Sequence, residues 1–401
     1  MANIAPFKGT RYNLEKIKDM SAVTAPPYDV IPKEEQGQLY KMSQYNIVRM
    51  LLGKDSPGDD ENNNRYTRAG KYLKDWQKKG VLKKDSEPSV YINLQEFKLD
   101  GKIKKRTGFI ALLKLEEFDR KDSSVYPHEN TLAAPKEDRA KLIRAIEANL
   151  GPIFAIFEDQ DRSIADLIKN EMKSKPVVDM VDNHDVRNKF WKVSDKKIIA
   201  RLCSRMKDKK LFIADGHHRY EVGLAFSKFK KDPKYGYALT YFTDLSGDGL
   251  VVLPYHRIIG GVGEGFMPSS TDLKKHFSVK ELESRKDIKT FLGKAKSTEA
   301  RFVIYKQKKF TGLIFKGKKD MDVTIAKNLI IDPLGKISID FTKDLDYAVK
   351  EVDKGNFSFA ILVNPVKIRE IRDVAFLGRR MPQKSTYFYP KVLTGLVINV
   401  F

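Results

Sequence analysis

Asp215-Gly216-His217-His218-Arg219 sets a carboxylate, two imidazoles and a guanidinium around one glycine. The apolar run Phe212-Ile213-Ala214 before it reads as the end of a strand. After it, Val222, Ala225, Phe226 and Phe229 fall at helical spacing over Arg219 to Phe229. A strand-to-helix turn gathers backbone N–H groups and the positive end of a helix dipole at one point, and Gly216 lets a ligand approach the backbone. His217, His218 and Arg219 add donors for phosphoryl oxygens and imidazoles that move protons near neutrality. The chemistry indicated is phosphoryl binding and transfer. The hard oxygens of Asp215 and Asp29 suit a magnesium ion.

Two further segments carry polar groups in turn-like contexts. Pro127-His128-Glu129-Asn130-Thr131 offers a His-Glu pair able to relay a proton, bind a metal or cap the next helix. Met381-Pro382-Gln383-Lys384-Ser385-Thr386, just after Arg379-Arg380, concentrates cations and hydroxyls suited to an anion. His128, His217, His218 and His256 all stand beside arginine, acid or proline, which places them in one expected site. Gly312 to Lys318 has the outline of a phosphate loop, but Lys319 replaces the required Ser or Thr, and a hairpin replaces the strand-loop-helix context. Gly260 to Gly265 lacks dinucleotide-binding spacing because Phe266 stands where a third glycine belongs. No organic cofactor is therefore expected.

These groups need elements to position them, and 401 residues are enough for a large core. The composition, 41% hydrophobic and 32% charged, is that of a globular chain. No apolar run approaches the roughly 20 residues of a membrane span, and Met1 to Thr10 lacks the pattern of a secretory leader, so a cytoplasmic, non-membrane protein is expected. The one cysteine, Cys203, cannot form an internal disulfide and reads as a small buried hydrophobe. The formal charge of +22 favours anionic partners. Its lysines come in scattered pairs with acids between, which reads as a solvated lysine-rich surface and makes nucleic acid an unlikely partner beside an anionic small-molecule substrate or nucleotide.

Along the chain, the segment to Ile31 reads as strand and proline-rich loop. A helix is expected over Tyr66 to Lys79, ended by Gly80, followed by strands Ser89 to Leu99 and Thr107 to Leu115 joined through Asp100-Gly101. A charged helix over Lys136 to Leu150 and a buried strand Ile153 to Phe157 come next. Helices near Ile164 to Lys173 and Asp195 to Met206 lead to the strand Leu211 to Ala214. The alternation predicts a mixed α/β (α+β) fold. A Gly-rich connector at Gly260 to Gly265 divides an expected core domain, residues 1–260, from a smaller α/β subdomain, residues 261–401, whose last motif is placed to return to the site. No fixed-period repeat is present.

Taken in order, Ala25-Pro26-Pro27-Tyr28-Asp29-Val30, Asn46-Ile47-Val48-Arg49, Pro127-His128-Glu129 with Thr131, Asn149 with Pro152-Ile153-Phe154-Ala155, the Asp215 to Tyr220 turn and Met381 to Thr386 resemble the family called domain of unknown function 1015. The resemblance runs over nearly the whole chain, and the family name implies no activity. More remotely, Gly216-His217-His218-Arg219 resembles the Gly-x-x-Arg turn of the ParB/sulfiredoxin-like superfamily, which binds nucleotide or phosphoryl groups. That superfamily includes free-serine kinases and CTP-dependent partition proteins, and members of the 1015 family are often encoded beside serine-biosynthesis enzymes. The resemblance implies a ParB/sulfiredoxin-like core and a kinase or phosphatase step on serine or phosphoserine. The helix-turn-helix of the partition proteins is missing, which weakens the DNA reading. Expected phosphate-binding residues are Gly216, Arg219, Arg49, Arg139, Lys384, Ser385 and Thr386; expected catalytic residues are His217, His218, His128 and Glu129. The rival is a nucleotide- or nucleic-acid-binding regulator that uses the same turn without turnover.

Overall fold

A computed structural model describes residues 1–118, 123–263, 271–296, 298–318 and 320–401. The fold is mixed α/β, as the alternation of patterns predicts. Contacts divide the chain into two compact units, one of Met1–Pro127, Thr131–Val251 and Pro390–Phe401, the other of His128–Asn130 and Val252–Tyr389.

The first unit is built on a nine-stranded sheet. Its strands run Val125–Tyr126, Leu211–Asp215, Ile153–Phe157, Tyr237–Asp244, Lys102–Lys114, Val90–Leu99, Arg187–Val193 and Val178–Val181, with Ile4–Ala5 also paired to Lys102–Lys114. The hairpin forms where Asp100-Gly101 predicts it. Both residues take positive φ, 48° and 79°, as a tight two-residue loop between twisted strands requires. Every residue of Ile153–Phe157 is buried, and it runs parallel to Tyr237–Asp244 and antiparallel to Leu211–Asp215. Helices Ser163–Glu171 and Lys196–Met206 bury Ile164, Leu167, Ile168, Ile199, Leu202 and Met206 in the same core. Helices Ala133–Ile146 and His217–Lys230 share Ile143, Val222 and Phe226. Arg65–Lys78 approaches the former so closely that a Cβ on Gly70 would lie 2.7 Å from the Ala145 carbonyl.

Some boundaries differ from expectation for local reasons. The helix expected over Lys136 to Leu150 spans Ala133–Ile146, since Pro135 fits a first turn and Glu147 turns left-handed at φ 46°. Ala148–Asn149 then pairs as a strand with Asn399–Val400. Helices Lys33–Met42 and Val48–Leu51 fall where the sequence shows no period; in the former only Leu39 is buried, so no apolar stripe exists to be read.

The second unit holds a six-stranded sheet in the order Phe277–Leu282, Lys309–Phe315, Arg301–Lys306, Phe359–Val363, His256–Gly260, Ser338–Thr342, with antiparallel pairing throughout. Alternate residues feed two cores, Phe302 and Ile304 one and Val303 and Tyr305 the other. Gly312 lies within this sheet, where a Cβ would come 2.6 Å from the Phe291 ring; close packing accounts for it. The division expected after residue 260 falls between Val251 and Val252, and the terminal segment Pro390–Phe401 belongs to the first unit. That return is made by pairings no local pattern announces: Asn399 with Asn149, Ile398 with Thr10, and Thr394 with Ala25. The connector from residue 264 onward and Lys319 lie outside the described residues. Among the described residues no helix is long and apolar enough to cross a membrane.

Candidate functional site

The strand Leu211–Asp215 shifts register against Ile153–Phe157 between Ile213 and Asp215, a bulge that re-aims the last carboxylate. Gly216 follows at φ 92°, and the helix His217–Lys230 starts without a side-chain cap. Asp215 then accepts on both oxygens, from Lys391 Nζ at 2.5 Å and from Arg219 Nη2 at 2.5 Å. Arg219 Nη1 also donates to the Pro152 carbonyl. Its guanidinium lies folded over the turn, 3.0 Å from where a Cβ on Gly216 would stand. Position 216 is thus glycine for two reasons, its left-handed backbone and the arginine packed against it.

A third cation is buried nearby. Arg106, 2% exposed, donates through Nη2 to Gln95 Oε1 and to the Pro390 carbonyl, each at 2.5 Å, and stacks 4.7 Å from the Phe154 ring centre. Burial lowers its pKa, and Tyr241 and then Asp215 oppose that shift. Gln95 Nε2 in turn donates to the Lys391 carbonyl at 3.1 Å, tying the terminal segment to the sheet. Around the turn stand Arg106, Arg219 and Lys391 against Asp215, a surplus of positive charge in a mostly buried setting.

The two histidines of the turn take different positions. His217 is buried. His218 Nε2 accepts the Leu132 N–H at 3.0 Å, which assigns its proton to Nδ1 and holds the start of the helix Ala133–Ile146. Thr131 Oγ1 donates to Glu221 Oε2 at 2.7 Å, so this segment is fastened to the helix His217–Lys230 at two points.

The other two polar motifs meet in the second unit. His128, fully buried, has Nε2 3.1 Å from Thr386 Oγ1 across 258 residues of sequence, and Glu129 Oε2 accepts the Ser385 N–H at 3.3 Å. Main-chain bonds from Met381 N to the His128 carbonyl and from Asn130 N to the Met381 carbonyl fix the pairing. Lys384 takes a left-handed φ of 55° and sets its ammonium 5.5 Å from the Tyr255 ring centre. Burial pushes the Arg257 guanidinium down to about 10, with Glu129 opposing the shift, and Arg257 Nη1 donates to the Tyr255 carbonyl at 2.6 Å. His256 is pushed down to about 4 by burial and then by Arg257, and its Nδ1 accepts the Val363 N–H at 3.3 Å.

The other expected site residues make the following contacts. Arg49 donates to the Tyr40 carbonyl at 2.8 Å and covers the Tyr40 ring, bracing two short helices. Arg139 is buried, donates to the Leu51 carbonyl at 2.8 Å, pairs with Asp138 and stacks 4.0 Å from the Tyr28 ring centre. Asp29 is exposed in the short turn Tyr28–Val30. Asp215, expected as a magnesium ligand, spends both oxygens on cations, and no group of three or more His, Cys, Asp or Glu among the described residues could hold a metal ion. Arg219, expected to reach out to phosphate, is turned inward. Sequence reasoning passed over Arg106, Lys391 and Arg257. The available signal was a cation set among apolar neighbours, as in Val392 to Phe401 after Lys391 or the strand His256–Gly260.

Fold and site together define a mixed α/β protein whose first unit carries a cation-rich, glycine-hinged strand-to-helix turn. The chain belongs to the DUF1015 family, described as a protein of unknown function, whose family model matches residues 4–341. Met381 to Thr386 and Lys391 lie beyond that match. Comparison with curated proteins finds no match. Among solved structures the chain is similar to a conserved hypothetical protein from Pyrococcus furiosus, at 14% identity over 69% of this chain and 92% of that one with a TM-score of 0.40. It is also similar to a free serine kinase in complex with AMP, at 15% identity over 68% and 89% with a TM-score of 0.38. A third is SbnI with a C-terminal truncation from Staphylococcus aureus, at 10% identity over 72% and 87% with a TM-score of 0.40. At these values the chemistry of this chain has to come from its own residues.

Proposed function

We propose that the Gly216 turn binds the phosphoryl group of a small phosphorylated metabolite and that the protein transfers or hydrolyses that group. One observation carries the reading: a helix start without a side-chain cap, at a glycine, stands beside Arg106, Arg219 and Lys391 with Asp215 as their counter-charge. Such a field stabilises an anion and the charge that develops on equatorial oxygens during phosphoryl transfer. Asp215 acts by holding Arg219 and Lys391 in place. With His218 accepting the Leu132 amide, His217 is the imidazole assigned to the proton. Serine and phosphoserine are the substrate pair that the sequence resemblance implies. No step is routed through a metal, because the carboxylate at the turn is engaged by cations. The part played by the second unit's cluster of His128, Glu129, Lys384, Ser385 and Thr386 is tested with a His128→Ala variant.

The test is phosphorus NMR with magnesium, offering phosphoserine alone, then serine with pyrophosphate, ADP or ATP. Product made by the wild type and lost in His217→Ala supports the reading. Tight nucleotide binding with no product under any condition replaces it with a binding regulator.

A further inference from the structure

Helices Ala133–Ile146 and His217–Lys230 lie side by side and run in the same direction: the Leu132 N–H meets His218 where both begin, and Lys230 meets Glu147 where both end. A half-open groove of about 400 Å³ lies between them. Ile143, Val222 and Phe226 give it a buried apolar floor, while Ala140 and Ala225, at mid-length, present only methyl groups and let another surface come close. Toward the far end stands Phe229, 68% exposed, with Arg144 Cζ 5.7 Å from its ring centre. The charges differ along the groove. Glu137 and Glu221 lie toward its start, the former held only by an exposed ion pair with Lys141, of small worth in water. Arg144 lies toward its end and, among the described residues, pairs with no carboxylate.

We propose that this groove is an interface with a second copy of the chain, related by a two-fold axis that passes beside Ala140 and Ala225. Glu137, Ala140 and Arg144 are three and four residues apart, and Glu221, Ala225 and Phe229 are four apart, so each set forms a stripe along one face of its helix. Each alanine stands at or near the middle of its stripe, and a two-fold rotation there reverses both stripes onto themselves. Arg144 of each copy then lies against Glu137 of the other, and Phe229 of each enters the Glu221 end of the other's groove, over Val222. The groove has room for it, since about 150 Å³ holds a benzene ring. A two-fold interface has to be self-complementary, and a face with acids at one end and an unpaired cation beside an exposed ring at the other meets that condition. A partner of one charge sign fits less well, because the lining carries two cations, Lys136 and Arg144, and two acids.

The experiment is sedimentation velocity on the full chain, from micromolar to near-millimolar concentration, in the wild type, Phe229→Ala, Glu137→Arg, Arg144→Glu and the double swap that combines the last two. The wild type is expected to reach twice the chain mass as concentration rises. Phe229→Ala should weaken the dimer about a hundredfold, about tenfold at each of two equivalent contacts. Either single reversal sets like charges against each other at both contacts and leaves a monomer, and the double swap restores opposite charges and with them the dimer. The three positions are exposed, so the variants keep their fold, which thermal melting checks. A wild type that stays monomeric at every concentration overturns the proposal and leaves the groove to a different partner. A dimer that no variant weakens overturns this face as its interface, and a double swap that fails to restore what each reversal loses overturns the two-fold pairing of Glu137 with Arg144.

Discussion

Lys391 Nζ lies 2.5 Å from Asp215 Oδ1, joining residues 176 apart in sequence. The side chains are 7% and 14% exposed, so the pair is largely shielded from water, and the same carboxylate holds Arg219. Removing the carboxylate by Asp215→Ala leaves Arg219 and Lys391 without their counter-charge. The expected loss of stability is about 3 kcal/mol, seen as a lower urea midpoint at unchanged slope. Lys391→Met keeps the stem and drops the charge, and lowers phosphate affinity about tenfold, near 1.4 kcal/mol.

Gly216→Ala forces a Cβ onto a backbone at φ 92° and against the Arg219 guanidinium at 3.0 Å. The strain costs about 1 to 3 kcal/mol, and the displaced arginine takes phosphate binding with it. Thermal melting and phosphate titration on one preparation check both effects; an unchanged affinity would show that the arginine's position does not matter to the anion.

Acid should act on the second unit through His256. Its folded pKa is about 4, below the ordinary value near 6.5, so between those pH values the unfolded chain binds more protons and folding weakens as pH falls. The groups facing it agree: Arg257 disfavours the charged ring, Asp344 partly offsets this, and the Val363 N–H needs a neutral Nδ1 to accept it. The contribution present above about pH 6.5 and lost by about pH 4 is on the order of 3 kcal/mol. Urea unfolding across that window should show a slope that His256→Gln removes, the difference between the two proteins cancelling the other titrating groups.

His218→Ala deprives the Leu132 amide of its acceptor at the start of a helix with no side-chain cap. Stability should fall by about 1 kcal/mol, hydrogen exchange at Leu132 should quicken, and turnover should survive. Turnover that vanishes while Leu132 stays protected would move the proton-transfer role from His217 to His218.

Much of the local structure was legible because its cause is local. Apolar residues at helical spacing placed the helix His217–Lys230, strand-type runs around Asp100-Gly101 placed the hairpin, and the chemistry of glycine placed the Gly216 turn between strand and helix. Lys33–Met42 escaped because a helix burying one side chain leaves no period to detect.

The sequence by itself determined which residue types stand at the turn and that Gly216 had to allow a conformation other residues resist. Tertiary structure alone decided what those residues face. Arg219 folds inward because the bulge after Ile213 brings Asp215 to meet it, and Lys391 arrives because the terminal segment pairs with the first unit through Thr394, Ile398 and Asn399. His128 finds Thr386 in the same way, across an interval that no helical or strand period spans. Periodicity reports which face of an element is apolar, within a few turns; the partner of a buried charge is set by long-range strand pairing, whose register is fixed only when the whole sheet forms.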